Sequence, residues 1–361
     1  MAAAPITRVR HQDINDILQP RHERRQELTG FDDVYSDIVH YIAYCTHRIW
    51  AERSVGLIYS HYDPAVTVNT PYGVTAGVEH VMASTLAMMQ AFPDRESRLV
   101  DVAWTGNAEQ GFYTSHFGQS TMTNRGPTVY GPATGRRAHI RHCADCQIKA
   151  NQIHNEWLVR DNGALVRQLG LEPAEVAARL AAAEATSGVR AVVPGLPERS
   201  QGQRLPVALA TPVHGRADRV RHMLHDVWNR RLFDRIALAY DPDCAVHTAP
   251  GLELDGVEGL QWYMIRMLAA FPDAELRIDH VCEVDETDGP IVAVRWTLVG
   301  THRGVGLFGA ATGRVATILG MSHFRFGHEG EDARIVEEWT VWDEIAVLKQ
   351  LAAPVDAVTV A

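Results

Sequence analysis

The same short phrases occur twice, in the same order, along the two halves of this chain. Tyr62-Asp63-Pro64 returns 178 residues later as Tyr240-Asp241-Pro242, and Phe92-Pro93-Asp94 returns 179 residues later as Phe271-Pro272-Asp273. Thr134-Gly135-Arg136 matches Thr312-Gly313-Arg314. Near each end, Glu156-Trp157 with Asp161 matches Glu338-Trp339 with Asp343, and Gln168-Leu169 matches Gln350-Leu351, all 182 residues apart. A separation that drifts by only four residues requires duplication of a whole unit of roughly 140 residues, the length of a domain and too long for a solenoid repeat.

A chain of 361 residues with 46% hydrophobic content has enough apolar material for two such cores. The expected division is an N-terminal arm over residues 1–30, a first unit over 31–170, a helix and linker over 171–214 with the linker near 188–212, a second unit over 215–352 and a tail over 353–361. PAEVAARLAAAEA after Leu171 has helical composition, and SGVRAVVPGLPERSQGQRLP then breaks periodicity with Gly, Pro and polar residues.

Lys and Arg total 34 against 44 Asp and Glu, and the net charge of −10 argues against a surface dominated by nucleic-acid phosphates. MAAAPITRVRHQDIND carries charges from Arg8 onward and no uninterrupted apolar run, so neither a signal peptide nor a membrane span is expected and the location expected is cytoplasmic. Five cysteines form an odd, sparse set that does not resemble a disulfide framework and is expected to be reduced.

Within one unit, Ile38, Ile42, Cys45, Ile49 and Leu57 fall at near-helical spacing and predict a first helix. GVEHVMASTLAMMQAF and its counterpart GVEGLQWYMIRMLAAF predict a second, stopped by Pro93 or Pro272. β-Branched and aromatic residues then alternate through segments broken by Gly, Asn or Asp, which predicts antiparallel strands. Helices gathered before a run of strands give an α+β unit, a curved sheet wrapped by helices around a cone-shaped pocket.

This order of helix, FPD, Gly-rich hairpin with TGR, E-W-x-x-x-D strand and final Q-L turn resembles the SnoaL-like polyketide cyclases of the nuclear-transport-factor-2-like superfamily. The resemblance covers about residues 31–170 and 215–352. It implies a cone-shaped fold and an activity without cofactor, in which an Asp directly after the Trp moves protons during aldol ring closure. That position holds Leu158 in the first unit and Thr340 in the second, neither an acid or base near neutral pH. The same fold hosts several chemistries and inert binding modules, so the reaction has to be argued from the site.

Strand alternation places Glu156 on the same face as position 158, and it places Glu338 with Thr340. A carboxyl in an apolar cone has its charged form disfavoured, which makes Glu156 the leading base; partial exposure or a structural ion pair is the competing role. Asp161 and Asp343 are further candidates, although each precedes a helix-like stretch where an Asp serves as an N-cap, and the two roles are compatible. His116 lies mid-strand where it would act as an acid or orienter, and a satisfied core histidine is its alternative. An offset of 179 gives Arg295 as its counterpart, suggesting two different pockets.

Tyr62, Tyr113, Trp157, Tyr240 and Trp339 supply ring surface for a flat apolar ligand, with core packing as the competing role, and Trp50, Trp228 and Trp262 belong to the same set. His139, Arg141, Arg295, Glu338 and Asp343 are the polar ligand contacts. Cys143 and Cys146 invite a metal reading, but residues three apart on a strand face opposite sides, and no metal is expected. The glycines of the two TGR segments lie between strands and are read as hairpin turns, not a phosphate cradle.

These residues point to a cofactor-independent acid/base enzyme, of cyclase, isomerase, dehydratase or lyase type, acting on a small hydrophobic carbonyl compound. Two alternatives stand beside it: a binding or scaffold protein, and a hydrolase adding water through Asp161, Arg141 and Asn155. The expected assembly is an internal pseudo-dimer, with a homodimer open and no nucleic-acid or membrane partner.

Overall fold

The computed structural model describes residues 5–10, 13–187, 215–285, 289–327, 330 and 333–353. The linker expected near 188–212 and the end of the tail lie outside these residues.

Each half builds one six-stranded mixed sheet. The first uses β1 (Tyr62–Thr70), β2 (Gly73–Ala76), β3 (Glu96–Asn107), β4 (Gly111–Thr123), β5 (Arg137–Lys149) and β6 (Gln152–Arg160), in the order β2-β1-β6-β5-β4-β3. The second uses β7 (Tyr240–Thr248), β8 (Leu252–Asp255), β9 (Glu275–Val284), β10 (Ile291–Thr301), β11 (Val315–Phe326) and β12 (Ile335–Trp342), in the order β8-β7-β12-β11-β10-β9. Only β1 with β6 and β7 with β12 run parallel; the other pairs are antiparallel. Both parallel pairs shift register beside a Tyr-Asp-Pro, where Pro64 and Pro242 have no N–H for a ladder.

Helices cover the concave face of each sheet. Ile38–Trp50 starts at Asp37, whose carboxylate accepts from the His40 amide at 3.0 Å. Its apolar side packs with Val66, Val102, Phe112, Cys146 and Ile153 of the first sheet. Val78–Ala91 and Gly256–Ala270 are the second helices, each ending one residue before a Phe-Pro.

The opposite faces of the two sheets pack on each other. Phe117, Cys143 and Val159 from the first unit form one cluster with Leu319, Met321, Trp339 and Val341 from the second. Strand parity therefore assigns Tyr113, Ser115 and Phe117 to the junction, and Phe112, Thr114 and His116 to the cone. Cys143 likewise packs in the junction while Cys146 packs in the cone cluster. The arm joins the same junction, since Arg10 Nε donates to Asp101 at 2.7 Å and Nη2 to Glu337 at 2.6 Å.

Pairing corrects one sequence equivalence. His116 lies opposite Ala144 on β5, and the matching position of β11, Ser322, lies opposite Val294. Val294 is the counterpart of His116; Arg295 corresponds to Phe117 and faces the junction.

Candidate functional site

Three neighbouring strands bring the polar groups of the first cone together. Cys146 pairs with Glu156, Ala144 with Leu158 and His142 with Arg160. On the other side of β5, the same residues pair with Thr114, His116 and Gly118. Alternation sends all nine toward the concave side. A register shift at Gln147/Ile148 breaks that alternation below Glu156. His154, two residues before Glu156, is thereby half-exposed with Nδ1 3.2 Å from Asp63.

Glu156 is 8% exposed. Burial raises its pKa, opposed by the Arg160 guanidinium and a hydrogen bond with the Tyr62 hydroxyl. Burial lowers the pKa of Arg160, and Glu156 is the first charge that resists it. His116 is brought down to about 4 by burial, so it is neutral near pH 7. Burial and the charges of Arg95 and Arg160 push His142 well down too. Arg95 stacks on Trp50, 4.1 Å from the ring centre, and donates to Ser120 Oγ at 3.1 Å.

Among the described residues, three buried atoms on this side lack a hydrogen-bond partner: His116 Nδ1, Arg95 Nη1 and Thr114 Oγ1. Unmet polar capacity of this kind is costly in a core and ordinary in a site that takes up a polar ligand. Tyr62, Leu158 and Arg160 also retain solvent access although they face inward.

The second cone has the same architecture and a different filling. Its pairing of Trp296 with Gly320 matches that of Gly118 with His142. In each case the large side chain lies over the glycine of its partner strand, where a Cβ would collide with it. Trp296 thus stands where the first unit has Gly118, Trp342 where it has Arg160, and Tyr263 where it has Ser84.

Trp342 Nε1 donates to the Tyr263 hydroxyl at 2.8 Å, which donates to the Ala249 carbonyl at 3.0 Å. Glu338 is fully engaged: Tyr240 donates to it at 2.5 Å and Thr340 at 2.5 Å. Trp296 Nε1 donates to Ser322 at 3.0 Å, and Ser322 lies 2.6 Å from Thr340. A cavity of about 30 Å³ remains, lined by Trp228, Tyr263, Trp296 and Trp342 among others. That is the volume of about one water molecule.

Several expected site residues lie elsewhere. Tyr113, Trp157, Arg141, Arg295 and Trp339 occupy the junction, because their strand parity is opposite to that of Glu156. Asp161 accepts from the Ala164 amide at 3.0 Å and the Gly251 amide at 2.7 Å, so both its oxygens are held by backbone, one of them across the junction. Asp343 accepts from the Ile345 and Ala346 amides and from Asn162 Nδ2. Both cap helices and tie the units together.

His139 is exposed beside Thr121, and Trp262 is 57% exposed. The proposed water-adding group does not assemble. Asn155 donates to Gln147 at an exposed position, while the Arg141 guanidinium is spent on Thr248, Leu252 and Glu253 of the second unit. Arg160, Arg95 and His142 were not among the expected site residues. Arg160 was accessible from sequence, being two alternations beyond Glu156.

Among the described residues, no three His, Cys, Asp or Glu side chains are grouped to hold a metal ion. No helix there is long and apolar enough to cross a membrane.

The family model for SnoaL-like polyketide cyclases matches residues 41–169 and 218–351, well over half of the chain. The chain belongs to that family. IdmH of Streptomyces antibioticus, itself assigned only provisionally as a polyketide cyclase, is 26% identical; the match spans 39% of this chain and 100% of IdmH, with a TM-score of 0.32. TsrD of Streptomyces laurentii is 19% identical over 37% of this chain and 96% of its own, with a TM-score of 0.33. A Salinispora tropica protein provisionally named glutamate–cysteine ligase 2 is 30% identical over 124 residues, 33% of this chain. The chain spans about a third of that relative's length.

Proposed function

We propose that the first unit is a cofactor-independent acid/base enzyme for a small hydrophobic carbonyl compound, with Glu156 as the base. The observation that carries this reading is a buried carboxyl set beside Tyr62 and Arg160 in a cone with solvent access, while three aromatic rings close the equivalent cone. Family membership supports cyclase or isomerase chemistry of this kind.

In this reading, Glu156 takes a proton from the carbon next to the substrate carbonyl. Negative charge then moves to the carbonyl oxygen, where the Arg160 guanidinium and Tyr62 hydroxyl stabilise it. Return of the proton to another atom isomerises the compound; attack of the enolate on a second carbonyl closes a ring, and Glu156 delivers its proton to the new alkoxide. His116 and His142, both neutral, orient oxygen atoms without adding charge. Since Glu156 acts as carboxylate and burial raises its pKa, the rate rises with pH over a range above that of an exposed glutamate.

Proton exchange at the α-carbon of small aryl ketones in D₂O, followed by NMR, tests the base. Glu156→Gln is expected to slow exchange by about 10²-fold or more while ketone affinity stays within a few-fold. Equal rates in both proteins would remove the assignment. Leu158, where the family pattern has its Asp, supports a second reading as a binding module, which predicts ketone binding with no exchange above background.

A further inference from the structure

A cleft of about 290 Å³ opens between the two sheets on one side of the junction, lined by Thr70 and Trp157 of the first unit and Arg295, Thr297, Thr317 and Leu319 of the second. We propose that it is a binding site for a small carboxylate with a flat or short apolar body, separate from the first cone.

The two-fold relation between the units shows what the cleft lacks on its other side. There, Phe117 packs on Trp339 with ring centres 5.8 Å apart. Arg141 lies over Trp339, donates to the carbonyls of Thr248 and Leu252 at 2.7 and 3.0 Å, and pairs with the Glu253 carboxylate. That half of the junction is filled by an arginine and a carboxylate from the chain itself.

On the cleft side two of these parts are exchanged while the tryptophan and the threonine are kept. By strand pairing, Thr70 corresponds to Thr248, Leu319 to Arg141 and Arg295 to Phe117. The short Leu319 leaves open the space that Arg141 fills. Arg295 instead lies flat on Trp157, 3.6 Å from the ring centre, with Nη1 donating to the Tyr113 hydroxyl at 3.0 Å. Nη1 also lies 3.6 Å from the buried Asp145 carboxylate, which accepts from the same Tyr113 hydroxyl, so the inner edge of the guanidinium is engaged and Nε and Nη2 are left for a ligand.

The carboxylate already at the rim does not compete. Asp279 accepts from Arg277 Nε and Thr297 Oγ1, both at 2.6 Å, so its charge is balanced locally. A planar guanidinium held by stacking offers paired donors that match a carboxylate better than a neutral group. Leu319 and the Trp157 ring give an apolar wall for the rest of the ligand. The volume suits a single ring with one acidic substituent.

Benzoate titrated into the full chain, followed by calorimetry and tryptophan fluorescence, tests the site. Benzoate is expected to bind with a Kd below about 1 mM, and the neutral benzamide at least ten-fold more weakly. Arg295→Lys, which keeps the charge and loses the stacked fork, and Thr297→Gln, which fills the space with a neutral chain, should each weaken benzoate by about ten-fold or more. Ser84→Tyr, which fills the first cone, should leave benzoate affinity unchanged. Equal binding of benzoate and benzamide, persistence of binding in both cleft variants, or its loss in Ser84→Tyr would each overturn the proposal.

Discussion

Single carboxyls in this protein are sorted by whether burial or partners dominate. Asp343 is fully buried, and burial raises its pKa to about 7 despite hydrogen bonds from Asn162, Tyr72 and the Ala346 amide. A folded-state value above the unfolded one means that the protonated form favours the fold. The associated stability is complete below about pH 4 and lost progressively as pH rises toward about 7. Asn caps a helix as well as Asp does, so Asp343→Asn keeps the cap and removes the charge. Melting temperatures of the two proteins should converge near pH 4 and separate by pH 8, with the Asn variant higher and flatter. Parallel curves would refute the assignment. Glu337 shows the reverse balance, because Arg10, Arg325 and His247 hold its pKa down against burial. Its contribution is present at neutral pH and is lost as pH falls through the acid range.

The two second helices show how one element serves two ends. Leu260, Tyr263 and Met267 are buried on Gly256–Ala270, whereas Val81, Ser84 and Met88 at the same positions of Val78–Ala91 keep solvent access; the fourth pair, Met264 and Thr85, is buried in both. Equivalent helices carry an apolar plug in one unit and a more accessible wall in the other. Ser84→Tyr should raise stability by about 1–2 kcal/mol in urea unfolding, through ring burial, and abolish ketone binding in the first cone. Trp296→Ala removes the largest part of the opposite plug and should cost about 3–5 kcal/mol. A gain of exchange activity in that variant would show that the second unit retains latent chemistry.

The whole molecule is stabilised by a junction that combines an apolar cluster with buried polar contacts, such as Ser115 with His323 at 2.9 Å, and with ion pairs nearer its edges. Arg167 donates to Glu344 at 2.8 Å, Lys349 pairs with Glu184 at 2.6 Å, and Arg10 bridges Asp101 and Glu337. Arg141 is the most deeply set of these cross-links and bonds two carbonyls beyond its carboxylate. Its pair with the exposed Glu253 adds little, so Arg141→Ala should cost about 2 kcal/mol, mostly from the two unpaired carbonyls. One cooperative urea transition is expected for the native protein. Separate transitions for the two units would contradict a shared junction.

The duplication, the α+β order, the helix stops at Pro93 and Pro272 and the shared face of Glu156 and Leu158 could all be read from sequence, because they depend on local rules of period and backbone chemistry. Asp161 and Asp343 were legible as caps for the same reason. Which face of each sheet looks into a cone was not legible, since alternation gives two faces and no sign. Tyr113 and Trp339 were therefore assigned to pockets although they pack within the junction, whereas Trp157 and Arg295 line the cleft at its side. The bulge that turns His154 outward shifts parity without leaving a signal in residue type. The difference between an open cone and a closed one lies in pairs such as Gly118 with His142 and Gly320 with Trp296, whose partners meet only across strands. The sequence by itself settled what each unit is built from; the tertiary structure decided how each cone is filled, because space is set by side chains that are distant in the chain and meet across strands.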